Sequence, residues 1–184
     1  MLTLLLGGAR SGKSTLAVQL ACARPRPTTF VATAEALDDE MAERIARHRS
    51  ERPARWETIE EPVDLEKALN ATNDDANVII DCLTLWVANV LGAGHTDQEI
   101  TDTATKVATA AAGRPGHVIA VSNEVGSGIV PADSLSRHYR DLLGRVNTVF
   151  AEHAGDAFLV VAGRVVPLLR LGAGRARGAG APAG

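Results

Sequence analysis

Eight consecutive residues, Gly7-Gly8-Ala9-Arg10-Ser11-Gly12-Lys13-Ser14, fit the pattern GxxxxGK[ST] between the aliphatic run Leu2 to Leu6 and the helix-like STLAVQLACA. That context commits the start of the chain to strand, tight loop and helix. Crowded phosphate oxygens need backbone N–H groups aimed inward, and glycine permits this because it turns with no side chain in the way. Lys13 adds a mobile point charge for the outer phosphates, and the N-terminus of the following helix adds its dipole. Ser14 can offer its hydroxyl to Mg2+. A glycine-rich turn with an incidental Lys-Ser is the plain alternative, and the flanking strand and helix weigh against it.

The rest of the chain repeats the alternation. Apolar runs at Thr29 to Thr33, Val78 to Cys82, Val118 to Ser122 and Phe158 to Val161 alternate with periodic segments at Lys13 to Ala23, Asp38 to Arg49, Val63 to Ala71, Asp97 to Ala112 and Leu135 to His153. This order predicts an α/β fold, a mostly parallel sheet with helices on both faces. Ala162-Gly163-Arg164 and then Val165 to Leu169 read as a closing hairpin, hence one antiparallel edge strand. At 184 residues the chain is expected to form one domain over residues 1–171. Residues 172–184, GAGRARGAGAPAG, have too few apolar side chains to offset their ordering entropy and are expected to be disordered.

Composition narrows the function. Aromatic residues make up only 3% of the chain, so the core must be aliphatic, and a formal charge of -3 offers no global field for a phosphate backbone. Nucleic acid is therefore not an expected partner. Cys22 and Cys82 form no CxxC pair, the start MLTLLLGG lacks a basic n-region, and no apolar window approaches the ~18 residues of a membrane span, so a cytoplasmic protein is expected. His95, His117, His138 and His153 make no HxxxH or HExxH pair, and no zinc site is expected.

Two residues outside the loop stand out. Asp81 ends the run Val78-Ile79-Ile80, where a carboxylate in an open α/β sheet could hold Mg2+ or its water. His48 lies at the edge of the apolar stripe Leu37, Met41 and Ile45, amid Arg44, Arg47, Arg49 and Arg52, the most basic short window of an acidic chain. Such a cluster is either a solvated face paired with Glu40, Glu43 and Glu51, or a holder for an anionic group beside an imidazole that is nucleophilic when neutral. The polar, double-glycine segment after Val121 falls where ligands bind at strand ends, or is simply a long connection.

Taken in order, GGARSGKS, TAEALDDEMAERIARHRSERPARW, a strand ending in Asp-Cys-Leu-Thr, SNEVGSGIVP and RHYRDLLGRVN resemble the bifunctional adenosylcobinamide kinase and adenosylcobinamide-phosphate guanylyltransferase family of cobalamin biosynthesis, from Met1 to about Leu169. The resemblance implies a RecA-like P-loop fold, a homotrimer and two reactions at one nucleotide site. The first passes the terminal phosphate of ATP or GTP to adenosylcobinamide. The second passes GMP from GTP to adenosylcobinamide phosphate through a guanylylated His48. It further implies nucleotide contacts from Gly7 through Ser14, from Thr33, Ala34 and Glu35, from Arg49, Ser50, Glu51 and Arg52, and from Glu60 and Asp81, with Ser14 and Asp81 serving Mg2+. Asp81 stands where some members have Glu. On this reading the helix bearing His48 moves when GTP binds. A monofunctional P-loop small-molecule kinase and a non-catalytic nucleotide-dependent regulator are the competing readings.

Overall fold

The computed structural model describes residues 1–36, 38–50 and 52–170; Leu37, Glu51, the Arg44 side chain and the expected disordered tail lie outside the described residues. The elements in chain order are β1 (Leu2–Gly7), α1 (Lys13–Cys22), β2 (Thr28–Ala32), α2 (Asp39–Ser50), β3 (Glu57–Glu60), α3 (Leu65–Asn70), β4 (Asn77–Asp81), α4 (Leu83–Gly92), α5 (Asp97–Gly113), β5 (Val118–Val121), α6 (Ser134–His153), β6 (Asp156–Val161) and β7 (Arg164–Pro167). The strands form one sheet in the order β3-β2-β4-β5-β1-β6-β7. Every pairing is parallel except β6 with β7, the hairpin read from the sequence. The P-loop α/β fold, a mostly parallel sheet with helices and an antiparallel edge, is thus present.

The strand sequences are near-continuously apolar because helices cover both faces. On one face α3, α4, α5 and α6 bury Leu4, Val78, Ile80, Val118 and Ala120 with Leu142, Val146 and Phe150. On the other, α1 covers Leu5, Phe30, Ile79, Ile119 and Val121 through Ala17 and Ala21. Each face also holds a tryptophan. Trp86 on α4 is fully buried and donates from its indole nitrogen to the Val63 carbonyl at 2.7 Å. Trp56, only partly buried, packs against the α1-side cluster.

Two elements had no counterpart in the sequence reading, β3 and α4. Helix α5 starts with a full capping box between Thr96 and Glu99, and α6 starts at Asp133, whose side chain accepts from the Ser136 amide. By contrast α4 follows Cys82 with no side-chain cap.

The order places the candidate site. β5 lies between β1 and β4, and the register sets Asp81 opposite Val121 and Val121 opposite Leu5. The end of the Asp81 strand is therefore level with Leu5, one strand away, and the phosphate-loop strand runs on past it to Gly7 at the carboxyl edge of the sheet.

Candidate active site

The loop between β1 and α1 is held from three sides. Its lysine is buried and folds back, Nζ donating to the Gly7 carbonyl at 3.0 Å and the Gly8 carbonyl at 2.7 Å. The Glu124 amide also donates to the Gly7 carbonyl, and the Gly163 amide of the β6–β7 turn donates to the Ser11 carbonyl at 2.8 Å. A Cβ on Gly7 would sit 2.3 Å from the Val160 carbonyl oxygen, so only glycine fits. Gly12, the residue before α1, has a φ of 104°. The Ser11 hydroxyl is buried with no hydrogen-bond partner among the described residues. A buried polar group left open in a phosphate-type loop suits a bound anion.

Asp81 ends β4, and its neighbourhood is fixed by Thr33. The Thr33 hydroxyl donates to the Cys82 carbonyl and accepts from the Cys82 amide, both at 2.8 Å, which staples the tip of β2 to the tip of β4. Asn89 secures the Thr33 carbonyl at 2.8 Å from α4. Burial pushes the Cys82 thiol up to about 11, so it stays protonated and unreactive at neutral pH.

Helix α2 closes the site from the opposite side. A cavity of about 390 Å³ is lined by Ala9 through Thr15 of the loop, Ala34, Asp81, Thr84 and Asn123, and by Met41, Ile45, Arg47 and His48 of α2. That volume suits a nucleotide-sized ligand. Arg52 lines it too, its guanidinium 3.4 Å from the Phe30 ring centroid. A second cavity of about 230 Å³ is lined by Ser14, His48, Arg52 and Asp81 together with Phe30. The fold thus brings Ser14, His48, Arg52 and Asp81, far apart in sequence, around the same space.

The remaining expected residues are placed differently. Ala34 lines the cavity, whereas the Thr33 side chain is fully buried and engaged with Cys82. Glu35 and Ser50 are exposed and do not line it. Arg49 pairs with Glu60 at 3.4 Å on the surface, with about two thirds of each side chain exposed (67% and 65%). Glu51 lies outside the described residues. Arg47 was read only as part of the basic cluster, yet it reaches the cavity. Met41 and Ile45, read as part of an apolar stripe, line the cavity, and α2 has no buried side chain among those described. Among the described residues no group of three or more His, Cys, Asp or Glu is placed to hold a metal, and no helix is long and apolar enough to cross a membrane.

Among solved structures, an ATPase from the type III secretion system of pathogenic bacteria aligns with 86% of this chain and half (50%) of its own at a TM-score of 0.46 and 13% identity. The bifunctional adenosylcobalamin biosynthesis protein CobP of Pseudomonas aeruginosa is 42% identical over 170 residues, covering 91% of this chain and 97% of that protein. The corresponding CobU proteins of Salmonella typhimurium and Escherichia coli are 42% and 39% identical, each over 89% of this chain and 97% of their own length. Residues 3–168 match the family described as cobinamide kinase / cobinamide phosphate guanyltransferase, and the chain belongs to that family.

Proposed function

We propose that this enzyme phosphorylates adenosylcobinamide with ATP or GTP and then guanylylates the product through a covalent GMP on His48. The observation that carries the second half is the shared space: His48, on a helix remote in sequence from the phosphate loop, lines both cavities with Ser14 and Asp81. In the first reaction the aminopropanol hydroxyl forms a bond to the γ-phosphorus, the nucleoside diphosphate leaves, and the hydroxyl proton is released. Lys13, Ser11 and the loop amides hold the triphosphate for this, so catalysis rests on positioning and charge neutralisation.

In the second reaction a His48 ring nitrogen forms a bond to the α-phosphorus of GTP, and pyrophosphate leaves with the electron pair of the bridging bond. An oxygen of adenosylcobinamide phosphate then attacks the same phosphorus and the N–P electron pair returns to the ring. Splitting the exchange in two means that only one large anion faces the nucleotide at a time. Mg2+ would be held by Ser14 and Asp81: a hydroxyl and a carboxylate facing one cavity are oxygen donors of the kind this ion takes along with phosphates and water. When bound, it neutralises charge on the phosphate oxygens.

Thr33, Glu35, Arg49, Ser50, Glu51 and Glu60 belong to this reading as nucleotide contacts; for Arg49 and Ser50 it requires α2 to shift toward the ligand, which the absence of buried side chains among the described residues of α2 favours. A cytoplasmic homotrimer completes the proposal. The exposed Val165, Val166, Leu168 and Leu169 on and after β7 supply an apolar edge for contact between copies.

The test is incubation with GTP labelled at the α-phosphate. Acid-labile, base-stable label should appear on the wild-type protein, vanish in His48→Ala, and leave substantial kinase activity in that variant. Label that persists in His48→Ala overturns the assignment, and phosphorylated product with no covalent GMP leaves the monofunctional kinase.

A further inference from the structure

The basic cluster around His48 does not act as one patch. Arg49 is drawn out to Glu60, Arg52 lines the cavity but is stacked on Phe30, and Arg47 lines the cavity with its side chain in no hydrogen bond, ion pair or ring contact among the described residues. Of the cavity's other cations, Arg10 and Lys13 belong to the phosphate loop and Arg52 lies beyond the end of α2, and Asp81 is the one carboxylate among the described lining residues. Arg47 is therefore the arginine of the cavity that sits on α2 itself, its Cα one peptide unit from that of His48, roughly 3.8 Å, whatever position α2 takes.

In-line displacement assigns these cations different work. During loading, the leaving pyrophosphate departs from the side of the phosphorus opposite His48, where the phosphate loop and Lys13 gather its charge. During discharge, the acceptor's phosphate must enter from that same side, so the loop's amides and Lys13 face it in turn. Neither step provides, from the loop, a charge that stays beside the transferred phosphorus on the histidine side. Its two non-bridging oxygens carry negative charge throughout, and in discharge they face an incoming dianion. A guanidinium is suited to this because its planar fork pairs with two oxygens at once.

We infer that Arg47 is a further catalytic residue of the guanylyl transfer, pairing with the non-bridging oxygens of the α-phosphate while it passes from GTP to His48 and from His48 to the acceptor. This rests on the covalent reading above. No proton moves to or from Arg47, and the bonds made and broken are those already described.

The experiment measures exchange of labelled pyrophosphate into GTP, which reports loading alone, beside the kinase step with ATP, in wild type, Arg47→Ala and Arg47→Lys. Arg47→Ala should slow exchange by ~10²-fold while the kinase step falls less than about threefold, and Arg47→Lys should recover part of the loss. With GTP carrying sulfur in place of one non-bridging α-oxygen, wild type should prefer one diastereomer, and Arg47→Ala should lose most of that preference, a change that a purely structural role would not produce. Wild-type exchange rates and unchanged diastereomer preference in Arg47→Ala would overturn the inference while leaving covalent His48 intact. No covalent GMP in wild type would instead overturn the underlying reading.

Discussion

The two walls of the cavity are built on opposite principles. The phosphate-loop wall is backed by the sheet: β1 is buried at every residue but the half-buried Leu6, α1 buries Lys13, Ala17 and Ala21, and backbone hydrogen bonds from Glu124 and Gly163 clamp the loop. The α2 wall has only half-buried or exposed side chains among those described, and its ties are the surface pair Arg49–Glu60 and the stacking of Arg52 on Phe30 just beyond its end. The first wall is preorganised to hold a triphosphate. The second carries His48 on a helix with little burial among its described residues, which suits the proposed role of a histidine that reaches a ligand and then withdraws.

Lys13→Ala tests the rigid wall most severely. Both the kinase and the guanylyl-transfer rates should fall by ~10²–10³-fold, because the lysine serves the phosphates in each; a variant that lost only one reaction would show that the wall is not shared. Next in size is a pair of truncations. Leu5→Ala removes a fully buried side chain from the loop strand and should cost about 2–5 kcal/mol in urea denaturation, whereas Ile45→Ala on α2 should cost less than about 1 kcal/mol. Equal costs would erase the contrast.

A third measurement supplies a reference point away from both walls. His117 is buried beside Thr3, its Nε2 2.8 Å from the threonine hydroxyl, and burial pulls its pKa down from 6.5 to about 4. The unfolded chain takes up this proton near pH 6.5 and the folded chain only near 4, so the stability contribution is complete above that window and lost as pH falls through it. The wild type should weaken by on the order of 2 kcal/mol between pH 7.5 and 4.5, and His117→Gln should show a flatter dependence. If His48 variants flattened it instead, α2 would be coupled to global unfolding. The smallest expected effect is in hydrogen exchange: amides of α2 should exchange by local opening, well before those of β1 and α1, with GTP slowing α2 most.

The same contrast decided what could be read from the sequence. The phosphate loop was legible because its chemistry is local: glycines, a lysine and a serine at fixed spacing, with strand and helix on either side. Asp81 was legible because β4 is a buried parallel strand whose apolar run stops where the sheet does. The stripe of α2 was legible too, but not its destination, since a helix period shows that Met41 and Ile45 share a face and not whether that face meets core or cavity. Arg47, Arg49 and Arg52 look alike in sequence, and only the placement of Glu60 and Phe30 separates their roles. Helix α4 was missed because Leu83 follows β4 almost directly, Cys82 provides no side-chain cap, and Leu83, Trp86, Val87 and Val90 are all buried, leaving little polar contrast to show its period. β3 was missed because Glu57-Thr58-Ile59-Glu60 is a short, half-polar strand at the sheet edge.

The placement of the tryptophans has a practical consequence. This chain contains two, Trp86 on the buried face of α4 and Trp56, half-open on the side of the sheet that carries α1. Its natural fluorescence therefore combines a steady, solvent-shielded emitter with one placed to feel rearrangement near the basic helix. A nucleotide titration could follow that rearrangement without any attached dye, and Trp86→Phe would remove the constant background.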